Sequence, residues 1–188
     1  MDARVADSLE KTVTPKLARY PGLPFYWDAI VAAASRHQLP PHLVAALVVR
    51  ESGANADAFV HEKHLWNRYL KKLPNWAGKN PRRVASRYGL LQVRFIDAHL
   101  HGRHCPEELF QPDVNLEHGC RRLQEMLSKL DAEFPSCPLP GKLRALVASY
   151  RDGYQAPDAL RPESRAYANT VLALYDQLQA QTDGTTFA

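Results

Sequence analysis

Glu51 is the first residue whose type and placement suggest chemistry. It closes the stretch VAALVVRES, residues 44–52, an apolar run that ends in arginine, glutamate and serine. A helix so apolar all round belongs in the core, and its acidic end sits at the unfavourable pole of the macrodipole. Burial also disfavours the charged form of a carboxyl group. A carboxylic acid that keeps its proton near neutral pH can give it to a leaving group. The competing reading is structural: Glu51 pairs with Arg50 or another base at the surface.

Four further segments follow in order: YGLLQV (88–93), NLEHGCRRL (115–123), ASYRDGY (148–154) and RAYANTVLALY (165–175). Each is weak alone. Together with Glu51-Ser52 they resemble the lysozyme-like lytic transglycosylases of the soluble (SLT) type, relatives of goose-type lysozymes. The resemblance spans residues 26 to about 178. It rests on Glu51-Ser52 after a buried helix, Gly89-Leu90-Leu91-Gln92, Asn115 to Gly119, Ser149-Tyr150 with Gly153, and Tyr167.

The resemblance implies roles. Glu51 becomes the single catalytic acid/base. Gln92 lines a glycan groove, Tyr150 sits near the sugar at the cleavage point and orients Glu51, and Tyr88, Ser52 and Tyr167 complete the substrate contacts. Asn115 and Gly119 are structural, one fixing backbone and the other allowing close packing. The implied substrate is the MurNAc-GlcNAc β-1,4 bond of peptidoglycan, with no cofactor and no metal. The chain departs from the family pattern at Val60, at Arg151-Asp152 where the family has Asn-Ala, and in a longer connection between Glu51 and Gly89.

Glycosidases that use water need two carboxylates across the scissile bond. Goose-type lysozymes carry aspartates before and just after the Gly-Leu-Met-Gln segment. Here Val93 and then Arg94 follow it, NPRRVASRY before it has no acid, and Asp97 is offset from Arg94 by three positions. A transglycosylase needs one carboxylate, because the 6-hydroxyl of the muramic acid attacks C1 and leaves a 1,6-anhydro end. That outcome is the expectation; a hydrolytic muramidase is the alternative.

A third class, a non-catalytic glycan- or nucleic-acid-binding module, follows from the charge. The formal net charge of +4 and the pI of about 9.0 suit an anionic partner. No named nucleic-acid motif accompanies that charge, so nucleic acid is not the expected partner. HEKH at 61–64 is one residue short of the HExxH metal motif. Cys105, Cys120 and Cys137 have no zinc-site spacing and are expected as thiols. The first residues, MDARVADSLEKTV, contain no apolar leader core, and no run reaches the ~20 apolar residues of a membrane helix. A monomer that acts on the bacterial wall or periplasm is expected, delivered by a phage, released at lysis or carried there by another route.

The elements that must position these residues read as helices. The fold class is mainly α, lysozyme-like with very little strand, in one domain. An arm is expected over 1–24, the transglycosylase domain over 25–180 and a loose tail over 181–188. FYWDAIVAAASRHQ, PHLVAALVVRES, RFIDAHLHG, PDVNLEHGCRRLQEMLSKLDAEF, KLRALVASYRDG and SRAYANTVLALYDQLQAQ are the predicted helices, broken by several of the 14 prolines. Residues 59–87 are irregular in pattern. Trp66, Tyr69 and Trp76 lie there among lysines and arginines, either as an amphipathic helix with its aromatics inward or as a sugar-stacking flank.

Overall fold

The computed structural model describes residues 20–103 and 105–183. The expected arm falls outside the described residues up to residue 19, and the expected tail from residue 184. In chain order the elements are α1 (Leu23–Arg36), α2 (Pro41–Ser52), β1 (Phe59–His61), α3 (Lys63–Arg68), α4 (Pro81–Val84), β2 (Ser86–Tyr88), β3 (Val93–Arg94), α5 (Phe95–Leu100), α6 (Pro112–Glu133), α7 (Leu139–Asp152) and α8 (Pro162–Asp183). Single 3-10 turns cover Leu70–Lys72, Pro74–Trp76 and Pro106–Phe110. The mainly α expectation matches the structure, and the strand content among the described residues is one small three-stranded sheet.

α2 is the central helix. Every residue from Leu43 to Val49 is buried, and α1 and α8 pack against it. Its Leu and Val side chains each contribute about 1.5–3 kcal/mol by burial. A carboxylate at a helix C-terminus costs about 0.3–1 kcal/mol. Packing therefore wins, and it carries Glu51 inward at the end of the helix. α8 closes the far side against α7 and α2, and α6 lies against α1 and α7.

Prolines open α2, α6 and α7, where the missing N–H costs nothing. The predicted apolar face of α6 is buried at Leu116, Cys120, Leu123 and Leu130. Val114, Met126 and Leu127 pack against the core only in part. His118 is also buried, which the apolar pattern did not indicate; its ring accepts from Arg103 Nε at 3.1 Å. Burial first, then the charge of Arg103, pushes His118 down to about 4, so it is neutral.

The sheet is antiparallel in the order β1-β2-β3. β2 and β3 are joined by the turn Gly89 to Gln92. Gly89 has φ +70°, and a Cβ there would collide with the Asn115 amide and the Leu109 carbonyl. Gly119 in α6 likewise leaves room for Leu91, which packs directly over it. Helix and turn thus touch backbone to side chain, which only glycine permits.

The segment after Glu51 is not one amphipathic helix. β1, two short helices and two 3-10 turns share it, because Pro74 and Pro81 cannot continue a helix. Trp66 and Trp76 are half-buried against the core. Trp76 meets Phe95 and His99 edge-on, with centroids 6.2 and 5.2 Å away. Trp76→Ala is accordingly expected to lower stability by roughly 2 kcal/mol, about half the cost of a fully buried aromatic truncation. KM of the folded enzyme should stay near normal. Thermal melts beside kinetics check this, and a raised KM with an unshifted melt would make Trp76 a sugar contact.

Candidate active site

Glu51 sits in the last turn of α2, one residue before its end at Ser52, and its side chain is 10% exposed. Oε1 accepts a short hydrogen bond from the Tyr167 hydroxyl on α8. Oε2 lies 3.7 Å from Arg87 Nη1 on β2, an ion-pair distance too long for a hydrogen bond. The two carboxyl oxygens are therefore unequal: one is held, the other is open to a reacting group.

Tyr167 is itself fixed. It is 4% exposed, and the Arg50 and Arg151 guanidiniums lie over its ring at 5.3 and 5.0 Å. Burial first, then the Glu51 charge, pushes its phenol well above the usual range. It therefore donates to Glu51 at any physiological pH.

Arg87 is positioned by the sheet. The β2–β3 register puts Arg87 directly opposite Arg94. Like charges so placed repel across a ladder. Glu62, just past β1, resolves the conflict. It accepts from Arg94 Nε at 2.7 Å and Nη2 at 3.0 Å, and Arg87 Nε is 3.5 Å from its Oε1. Burial alone would raise Glu62, but the hydrogen bond and charge of Arg94, with Arg87 and Arg122, hold it below the ordinary carboxylate value. Glu62 is thus an ionised counter-ion, bidentate to Arg94.

A cavity with about 10 Å³ of water-accessible space, room for about one water, is lined by Glu51, Arg87, Gln92, Arg94, Arg122, Tyr150 and Arg151. Gln92 enters it from the turn at φ 49°. Its Nε2 donates to the carbonyls of Ala58 (3.1 Å) and Gly89 (2.9 Å). Its Oε1 is buried with no hydrogen-bond partner. Buried acceptors are rarely left so, and the adjoining space has room for about one water.

The other expected site residues separate into two groups. Tyr150 lines the cavity with Glu51, but its hydroxyl donates to Leu91 O at 2.7 Å. Burial holds its phenol protonated. The hydroxyl that reaches Glu51 is that of Tyr167. Tyr88 is outside the cavity lining: it is 2% exposed, donates to Arg83 O at 2.7 Å and packs edge-on to Phe59 and Phe110. Ser52 donates back to Val48 O at 3.0 Å within its own helix. Asp97 pairs with Arg122 and lines a separate cavity with His101, His118 and Glu125.

Arg87 and Glu62 were not signalled by sequence. Glu62 stood in a failed metal motif, and three-residue strands carry too little alternation to reveal their register. No group of three or more His, Cys, Asp or Glu side chains able to hold a metal occurs among the described residues. The three cysteines are unpaired. No helix among the described residues is long and apolar enough to cross a membrane.

No curated protein matches the chain. The profile described as the transglycosylase SLT domain matches residues 28–169, from the middle of α1 into α8 and across every cavity residue. The chain therefore belongs to the SLT-domain family of peptidoglycan lytic transglycosylases, enzymes that act on the bacterial cell wall.

Proposed function

We propose that the enzyme cleaves the MurNAc-GlcNAc β-1,4 bond without water, with Glu51 as its one general acid/base. A single observation carries this reading: among the residues lining the cavity, Glu51 is the only carboxylate. Glu62, the nearest other acid in the network, is committed to Arg94.

The chemistry follows from the two unequal oxygens. Oε1 is held by Tyr167, so Oε2 carries the proton. Glu51 gives that proton to the glycosidic oxygen as the C1–O bond of the muramic acid breaks. The acetamido group of the same sugar stabilises the positive charge at C1. The Glu51 carboxylate then takes the proton of that sugar's 6-hydroxyl as O6 bonds to C1. Acid and base are regenerated together, and no second carboxylate is needed to activate water. Arg87, beside Oε2, stabilises the carboxylate formed between the two steps. Gln92 and Tyr150 are part of the wall the sugar meets.

Mass spectrometry of products from purified peptidoglycan tests the reading. 1,6-Anhydro-muramic ends should dominate. Reducing ends as the main product would make the enzyme a muramidase, with Glu62 the first candidate for its second acid. Asp97→Asn should leave the rate mostly unchanged, since Asp97 lies outside the cavity lining.

A further inference from the structure

The cavity at Glu51 is unusual in its charge. Four of its seven lining residues are arginines: Arg87, Arg94, Arg122 and Arg151. Two of these stand at positions where the resembled patterns have other residues: Arg151 for the family's asparagine, and Arg94 for the aspartate of goose-type lysozymes.

Nearby carboxylates do not balance them fully. Glu62 is shared by Arg87 and Arg94. Asp97 serves Arg122. Asp152 is shared by Arg151 at 3.7 Å and Arg161 at 4.0 Å, and also accepts from Ser164. When Glu51 carries the proton its reaction needs, five guanidiniums face these three carboxylates. Arg151 is the least committed of the lining arginines: its ion pair is with its own neighbour in sequence, and its side chain is 42% exposed, against 22–29% for the other three. Its guanidinium lies over the ring of Tyr167.

We propose that Arg151, backed by Arg87 and Arg122, is a specificity-determining residue that binds a carboxylate on the sugar being cleaved. Two sources supply such a group: the lactyl ether of muramic acid when no peptide is attached, and the stem peptide when one is. The lactyl carboxyl hangs through O3 from the same sugar whose C1 reacts, so it is only a short arm away from the reacting carbon. Carboxylates on the peptide begin further along a chain that extends about 3.3–3.6 Å per residue. The space between the arginines, about 10 Å³, is too small for a sugar or a peptide residue, so only a small group on the substrate reaches the guanidiniums. Guanidiniums bind carboxylates in planar, two-pronged geometry. The preferred substrate is therefore a glycan strand from which the peptides have been removed, leaving the lactyl carboxylates free. This rests on the transglycosylase reading above and adds the substrate class.

The test compares three strands: intact, peptide-free with the lactyl carboxylate exposed, and peptide-free with that carboxylate capped as its methylamide. Wild-type kcat/KM should be about 10-fold or more higher on the free-carboxylate strand than on the capped one, as expected for a charge-assisted hydrogen bond. The preference should shrink with added salt. Arg151→Gln should bring the free-carboxylate strand down to the level of the capped one, mainly through KM.

Equal rates on free and capped strands would overturn the proposal. So would an equal loss on both in Arg151→Gln, because Arg151 would then act only by bracing Tyr167. Intact strands cleaved faster than both would move recognition to the peptide and overturn the lactyl assignment. Should wild type cleave none of the three, the transglycosylase reading fails. Calorimetric binding of free and capped strands to Glu51→Gln still decides the carboxylate question in that event, equal affinities counting against it.

Discussion

Glu51→Gln is expected to lower the rate of glycan cleavage by at least ~100-fold, the lower range for a lost general acid, with the melting temperature nearly unchanged. Glutamine has the same shape, and its amide oxygen can still accept from Tyr167, so the end of α2 keeps its anchor. What it cannot do is give up a proton to the glycosidic oxygen and then take one back from the 6-hydroxyl. Both halves of the reaction fail together, so kcat should fall far more than KM rises. Product release measured beside a thermal melt checks this. A folded Glu51→Gln with near-normal cleavage would remove Glu51 from the mechanism.

Asn115→Ala is expected to be the most destabilising substitution in the helical scaffold of the site. Asn115 is fully buried. Its Oδ1 accepts from Leu91 N at 2.8 Å, and its Nδ2 donates to Tyr88 O at 2.7 Å and Leu109 O at 2.8 Å. These three bonds tie α6 to β2, to the turn bearing Gln92 and to the 3-10 turn before α6. Alanine leaves three buried backbone groups without partners, each worth about 1–3 kcal/mol. Some relaxation and water entry will offset part of this, so a loss of about 3–5 kcal/mol is expected, or roughly 10 °C in Tm for a chain of this length. Scanning calorimetry gives the answer. A shift below about 2 °C would mean that the turn is held by its own glycine geometry instead.

How far the sequence revealed these parts depended on the range of the interactions. α2 was legible because an unbroken apolar run can only be core, and Glu51 because a lone acid ending such a run needs a reason. Asn115, Gly119 and Gln92 were legible through the resemblance, and the structure gives each of them definite partners. Tyr88 and Ser52 read as groove residues, yet packing uses the first as core and helix back-bonding uses the second. Sequence pattern cannot tell a buried tyrosine from a groove tyrosine, since both have one apolar face and one hydroxyl. The network of Glu62, Arg87 and Arg94 was invisible for a different reason. It depends on which residues face each other across strands two or three residues long, and a register of that kind is set by the turn and by packing.

That network has a consequence for how the site can change. Arg87 and Arg94 oppose each other with Glu62 between them, so the three residues form one unit. Losing Glu62 alone leaves two facing cations in a half-buried hairpin next to Glu51. Losing Arg94 alone leaves Glu62 with Arg87 as its remaining close partner, and draws Arg87 away from Glu51. A sequence drifting toward an acid at position 94 would therefore pass through intermediates worse than either end. The effects of the three substitutions should be strongly non-additive, as for any residues in one ion-pair network. The hairpin is in this sense a ratchet: once built on two arginines and one glutamate, it resists stepwise conversion into a water-activating site.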